Sequence, residues 1–303
     1  MKIVMTGGTG FVGKHLIRAL SQLGNQVVNI GRSDLKPDAN RLVDLMAGAD
    51  VVINLAGAPI NRRWTPAYKD EIFSSRVETT QQLVKAMTEI DTPPKIFIST
   101  SAIGAFDSKG RYSESNSANA SDFLGRLSKQ WESAALEAES LGVRTLIFRF
   151  ALVLGHDGGL MKQLLIPFRL GLGGPVGDGS QHFSWIHIDD LINAYLFALE
   201  HRKMSGVYHL SAPNPVTNLS FTRTLGAALN RPTLFRVPEL LLKLAYGEGA
   251  EVMTSGQQVV SERLPENGFR FRHASLDSAV AEIVSHNCVK PMTSGIVNSS
   301  SET

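Results

Sequence analysis

The chain has 303 residues, with 30 Lys and Arg against 28 Asp and Glu, for a formal net charge of +2. That length can bury a sizeable core and suits one large domain or two coupled ones. The near balance of charge and the lack of a long basic run argue against a nucleic-acid patch or polybasic membrane anchor. The single cysteine, Cys288, excludes an internal disulfide framework and a cysteine zinc site, and no stretch of 18 apolar residues is present. The expectation is a cytoplasmic protein whose partner is a small molecule, with neither nucleic acid nor membrane involved.

The first thirteen residues organise the rest. Ile3 to Met5 reads as a buried strand, and the spacing Phe11, Val12, Leu16, Ile17, Leu20 reads as an amphipathic helix. Between them Gly7, Gly10 and Gly13 punctuate Thr6-Gly7-Gly8-Thr9-Gly10-Phe11-Val12-Gly13. Each glycine has a physical use: Gly7 for a tight turn, Gly10 for close approach of backbone to a pyrophosphate, Gly13 for close packing of helix on strand. Free N–H groups at the helix start add a positive dipole end. This segment, with Thr9, Phe11 and Val12, is the expected dinucleotide cradle.

Gln26 to Gly31 reads as the second strand, followed by Arg32 and Ser33. An acidic residue at this point holds a ribose 2′-hydroxyl, and an arginine accommodates a 2′-phosphate. Arg32 therefore favours NADP over NAD, with Asp34 keeping NAD open. Residues 33–41 are polar and contain Pro37, Leu42 to Met46 suits a short helix, and the next strand is Asp50 to Ala56. The room between these strands is too short for the usual third strand, so a reduced or missing one is expected. Leu55, Ala56 and Gly57 end the next strand with small residues suited to cofactor approach. Thr65 should cap a helix with Pro66 at its first position, running to about Glu89 before Asp91-Thr92-Pro93-Pro94.

Lys95 to Ser99 is the following strand, delivering Ser99-Thr100-Ser101 at its end, where hydroxyls would lie beside a nicotinamide. Residues 107–122 read as an exposed loop, which makes Tyr112 and Glu114 surface residues. Ser121 or Asp122 caps a helix over 123–141, and Val143 to Arg149 returns as a strand. In the second half, Leu160 to Leu170 is a helix interrupted by Pro167. Residues 171–179 form a glycine-rich loop, and Trp185 to Leu191 leads into a helix. His187, His182 and His209 stand isolated in the sequence, so no metal site is expected. Gly206 to Ser211 returns to the main sheet, and residues 213–285 hold helices with strand-like pieces at 233–237 and 269–272. The polar end is expected to be a flexible tail.

The fold expected is α/β: a Rossmann-type doubly wound parallel sheet with a smaller mixed C-terminal substrate lobe. The cofactor-binding domain spans 1–150 with 185–211, the lobe spans 151–184 and 212–285, and the tail spans 286–303.

The glycine segment, Asn54-Leu55-Ala56-Gly57, Ser99-Thr100-Ser101 and Trp185-Ile186-His187-Ile188-Asp189-Asp190 together resemble an extended short-chain dehydrogenase/reductase. Further stretches, among them Arg63-Trp64-Thr65, Ser75-Arg76-Val77, the run Pro167 to Pro175 and Ser255-Gly256-Gln257, are similar to its "epimerase family protein" branch, which carries a C-terminal domain of unknown function. The resemblance covers residues 1 to about 285. It implies an NADP(H)-binding epimerase or oxidoreductase acting on a small molecule, and a possible homodimer through helices near 66–90 and 121–141. The family's Tyr-x-x-x-Lys pair supplies acid/base chemistry beside the nicotinamide. Here Leu124 and Ser128 stand at those two positions, and Ser101 matches the family's serine or threonine. The resemblance makes Ser101 the catalytic candidate, with Tyr112 and Lys129 as substitute acids. Arg63, Arg76 and Arg149 either clamp an anionic substrate or pair with core carboxylates. The alternative function is a catalytically silent NADP(H)-binding sensor or interaction protein.

Overall fold

The computed structural model describes residues 1–35 and 39–286, so Pro37 and all of the expected tail after residue 286 lie outside the described residues. Strand β1 (Lys2–Thr6), helix α1 (Phe11–Gln22) and strand β2 (Gln26–Ile30) form the opening unit. Helix α2 (Ala39–Met46) and strand β3 (Val51–Asn54) follow. Helix α3 (Pro66–Phe73) starts at the proline, and the Thr65 hydroxyl caps it by accepting the Tyr68 N–H at 3.2 Å. A π-helical turn at Ser74–Glu78 carries it into α4 (Thr79–Thr88). Strands β4 (Ile96–Ala102) and β5 (Arg111–Tyr112) precede helix α5 (Phe123–Leu136), whose N-cap is Asp122, and strand β6 (Arg144–Phe150).

Beyond it come β7 (Leu152–Leu154), α6 (Gly159–Arg169), β8 (His182–Phe183), β9 (Trp185–His187), α7 (Ile188–Glu200) and β10 (Gly206–Leu210). The last stretch holds β11 (Val216–Thr217), α8 (Asn218–Ala228), α9 (Glu239–Tyr246), α10 (Glu251–Thr254), β12 (Gln258–Val259), α11 (Arg263–Glu266) and α12 (Leu276–His286). No helix among the described residues is long and apolar enough to cross a membrane.

Six strands build one parallel sheet in the order β10-β6-β4-β3-β1-β2. Successive strands are added outward from β1 in opposite directions, so the order reverses between β1 and β3. A crevice opens there at the carboxyl ends of the strands, where open α/β sheets take ligands. Among the described residues no strand lies beyond β2, as the short span between β2 and β3 led one to expect.

The alternation along β1 explains the two-sided core. Ile3 and Met5 face the α1 and α7 side with Ile53, Ile98, Phe148 and Tyr195, whereas Val4 faces the α2, α4 and α5 side with Val52, Phe97 and Leu83. Continuous apolar strands are what a parallel sheet covered on both faces requires. A separate core under α6, α8 and α12 joins Met161, Leu165, Phe168, Trp185, Phe221 and Ile283. Leu264 and Phe269, although late in the chain, pack into the main core with Tyr195 and Ala198.

Three sequence expectations change. The 233–237 piece is no strand and makes one isolated bridge, Val176 to Val237. The 269–272 piece is no strand either: the N–H groups of Arg272 and His273 go to the Asp190 carboxylate, at 2.6 and 2.9 Å, instead of a ladder. Tyr112 and Glu114 are half-buried and engaged, not free surface residues. β5 pairs in parallel with β12 through Tyr112 and Val259, and Glu114 accepts the backbone N–H groups of His209 and Glu262, each at 2.9 Å. The polar composition of this loop conceals a junction, because Glu114 within it bonds to backbone far along the chain.

Candidate functional site

The glycine turn is built as its spacing suggests. Gly7 has φ of 71°, a left-handed conformation that side chains resist, and a Cβ there would stand 2.5 Å from the Leu55 carbonyl oxygen. The turn thus lies against the exit of β3. At Gly13 a Cβ would come within 2.3 Å of the Gly7 carbonyl oxygen, so only glycine lets α1 sit this close to the turn. Gly10 differs, since a Cβ there would meet only that same oxygen, at 3.2 Å. The protein barely demands glycine at 10, and close approach of a ligand is the reason left.

No side chain caps α1. Its first backbone bond to the turn runs from Lys14 N–H to the Gly10 oxygen at 3.0 Å, which leaves the N–H groups of Phe11, Val12 and Gly13 without a backbone acceptor among the described residues. Uncapped N–H groups at the positive end of a helix dipole fit a pyrophosphate. The Phe11 ring points elsewhere: Cβ atoms placed on Gly155 and Gly158 would stand 2.7 and 2.2 Å from it, so the ring is lodged against the turn that opens the second lobe.

Asn29, which drew no attention in the sequence, holds the turn from the end of β2 by accepting the Gly8 N–H at 2.9 Å. Asn54 and Thr6 do the same from below. Thr6 donates to the Asn54 side-chain oxygen at 2.7 Å, Asn54 donates to Thr80 at 2.8 Å, and the Ala56 N–H reaches the Thr6 hydroxyl at 3.2 Å. A polar residue at the last position of an apolar strand was the available signal.

Arg32 and Ser33 are exposed on the turn after β2. Asp34 is spent internally, accepting the Gly31 N–H at 2.9 Å and Arg41 Nε at 2.6 Å. The backbone bond, with Arg41 adding to it, holds the Asp34 carboxyl below the usual carboxylate range. The acid that left NAD open is therefore committed to the turn.

On the sheet side, Ser99 is buried and its Oγ has no hydrogen-bond partner. Thr100 meets the Tyr195 hydroxyl at 3.2 Å. Ser101 donates to Glu132 Oε1 at 2.6 Å, and the same carboxylate receives Arg149 through Nε and Nη2, each at 2.7 Å. All three side chains are buried. Arg149 is thus a core ion pair and no substrate clamp, and its guanidinium lies 5.0 Å from the centre of the Phe106 ring. Tyr112 stacks on the other partner face of this region, 4.6 Å from Phe106. Its hydroxyl donates to Asp107, and that bond raises the pKa of the phenol. Lys129 is exposed.

Arg76 resolves differently from Arg149. The π-helical turn presents it to the loop after β3, where Nη2 donates to the Ala58 oxygen at 2.9 Å and Nη1 to the Ile72 oxygen at 3.2 Å. It lies 5.4 Å from the centre of the Trp131 ring and so close to Gly57 that a Cβ there would be 2.9 Å from Cζ. Among the described residues no carboxylate pairs with it, and burial draws its pKa down to about 10. Arg63 donates to the Leu244 oxygen, tying the loop before α3 to α9.

The NAD dependent epimerase/dehydratase family matches residues 3–210, and a domain of unknown function (DUF1731) matches residues 237–283. The human epimerase family protein SDR39U1 is 37% identical over 297 residues, covering 94% of this chain and 100% of that protein. An epimerase family protein of Staphylococcus haemolyticus is 33% identical over 295 residues, covering 93% and 99% of the two chains. The crystal structure of the human protein with NADPH superposes with a TM-score of 0.87 at 34% identity, covering 94% of this chain and 99% of that one.

Proposed function

Because this chain belongs to the NAD dependent epimerase/dehydratase family, we propose that it binds NADP(H) in the crevice between β1 and β3 and acts on a small molecule without the family's tyrosine and lysine. The observation that carries the cofactor reading is the uncapped start of α1 above Gly7, Gly10 and Gly13. Phe11, Val12 and Gly13 would give their N–H groups to the pyrophosphate, and Leu55, Ala56 and Gly57 would line the neighbouring strand exit. Ser99, with its unspent Oγ, would stand on the nicotinamide side. The crystallised human relative carries NADPH, in keeping with Arg32 as the phosphate-reading residue.

Arg32→Ala is expected to weaken NADPH binding about 10- to 100-fold, the worth of a hydrogen bond to a charged group, and to leave NADH binding unchanged. Titration of both nucleotides by fluorescence checks this. An equal loss for the two would remove Arg32 from the 2′-phosphate site.

When bound, the cofactor supplies hydride transfer. Ser101 donates its hydrogen bond to Glu132, so its Oγ meets any other neighbour as an acceptor. It can orient a substrate hydroxyl but is poorly placed to protonate a carbonyl. Half-buried Arg76, cationic and without a carboxylate partner among the described residues, suits an anionic group on the ligand.

The competing reading, a catalytically silent NADP(H) sensor, draws on one specific arrangement: the protons of both Ser101 and Tyr112 are committed to carboxylates. Incubation with NADPH or NADP⁺ and panels of carbonyl compounds and nucleotide sugars, with product analysis, separates the two. The enzyme reading expects turnover that falls at least about 100-fold in Ser101→Ala, a loss equivalent to about 2.7 kcal/mol of barrier. Tight NADPH binding with no product across the panels would favour the silent protein.

A further inference from the structure

Outside the crevice, the fold gathers histidines that are far apart in sequence. We propose that His187, Asp189 and His273 form a binding site for a divalent transition-metal ion, with zinc as the ion whose ligand chemistry fits best.

The site is built by the start of α7. His187 ends β9 and is the N-cap of that helix, with Asp189 in its first turn. Asp190, fully buried, accepts the backbone N–H groups of Arg272 and His273 and so pins this later segment against the helix start. The His187 and His273 rings then lie 4.0 Å apart, centre to centre. Asp189 Oδ2 stands 3.9 Å from His187 Nδ1 and 3.8 Å from His273 Nε2. One donor atom from each residue falls within 4.8 Å of the others. Zinc bonds of about 2.0–2.1 Å place tetrahedral donors about 3.4 Å apart. Closing the set around an ion therefore takes a contraction of about half an ångström on the two Asp189 separations and up to about 1.4 Å between the histidine nitrogens.

Two independent observations point to a ligand. First, His273 is 6% exposed, and neither of its ring nitrogens has a hydrogen-bond partner. A buried imidazole left unsatisfied costs stability, and coordination would remove that cost. Second, His187 is oriented from its far side: Nε2 donates to Glu282 at 2.8 Å, which leaves the Nδ1 lone pair to accept the Asp189 N–H at 3.2 Å, a bond that an ion would replace. A carboxylate holding the far N–H of a histidine is the arrangement that orients histidine ligands on zinc.

The ion would enter past Asp189. Asp189 is 38% exposed and lines a groove of about 290 Å³ together with Asn193, Arg18 and Arg272. Arg272 Nη1 is 3.5 Å from Asp189 Oδ2 and is the cation to be displaced; it is 71% exposed and free to swing into solvent. A bound ion would clip the segment at 272–273 to the end of β9, far from any role in hydride transfer.

The test uses full-length protein stripped of metal with a chelator and then titrated with Zn²⁺ alone. The expected result is one zinc per chain and a Tm rise of about 3–6 °C at saturation. Co²⁺ in its place should give the visible absorption of a tetrahedral site. His273→Leu removes no hydrogen bond, so it should keep the Tm of the metal-free protein while weakening zinc by more than about 100-fold. Glu282→Gln, which only orients His187, should weaken it about 10- to 100-fold. The proposal is overturned if the unaltered protein binds no zinc. It is equally overturned if His273→Leu binds zinc undiminished, which would move the ion to the surface pair His156 and His286, stacked 4.9 Å apart.

Discussion

Replacing Glu132 by alanine is expected to destabilise the protein by about 3–5 kcal/mol, the usual cost of stranding one member of a buried ion pair. Arg149 is 7% exposed at its side chain and Glu132 10%, and the pair is bidentate at 2.7 Å. Without the carboxylate the guanidinium keeps its charge, because arginine does not give up its proton in a protein interior. It would face the Phe106 ring and the abandoned Ser101 hydroxyl with no anion near. Urea unfolding followed by circular dichroism measures the effect. The double variant Glu132→Leu with Arg149→Met should recover most of the loss, since apolar replacement of a whole buried pair is often neutral or better. A loss under about 1 kcal/mol in Glu132→Ala would show that the pair is not the anchor between α5 and β6 that its geometry indicates.

The second large effect concerns two glycines of the same turn with different reasons for being glycine. In Gly13→Ala the new Cβ would press on the Gly7 carbonyl oxygen from 2.3 Å, backbone against backbone, so α1 has to move off the turn. Overpacking of this kind costs about 1–3 kcal/mol, and NADPH affinity should fall at least about 100-fold, about 2.7 kcal/mol. In Gly10→Ala the Cβ meets the same oxygen at 3.2 Å, which a slight adjustment relieves. Its melting temperature should therefore stay within about 1–2 °C of the parent, while NADPH binding drops comparably. Thermal melts and nucleotide titrations on the pair separate folding from binding. If Gly10→Ala binds NADPH like the parent, no phosphate passes close to residue 10.

What the sequence disclosed follows from how local each feature is. The strand, the turn and the helix of residues 2–22 are written within one short segment, and so are the Thr65 and Asp122 caps. That no strand lies beyond β2 among the described residues was legible as a lack of length. The fate of the arginines was not, because an arginine announces charge and not partner. Arg149 finds Glu132 across a helix-to-strand packing, while Arg76 finds two carbonyls and an indole ring. Tyr112 and Glu114 sit among Ser, Asn and Gly, a composition that water-facing loops share with junctions whose polar groups meet backbone. His187 and His273 are separated by 86 positions and meet only through the Asp190 carboxylate, a contact no spacing rule anticipates. At the candidate site the glycine turn and its helix could thus be read in advance. Its surroundings could not.

Phe11 has a consequence of its own. Its N–H is one of the uncapped group at the start of α1, and its ring is lodged against Gly155 and Gly158 in the turn before α6. A single residue thereby joins the two sides of the cleft, with no flexible linker to take up the strain. Any ligand that moves the turn before α6 must pull on the residue that opens α1. Thermodynamic linkage then makes the effect mutual: a substrate that changes nucleotide affinity by some factor has its own affinity changed by the same factor. The cleft would load its two ligands as a conversation and not as two separate events.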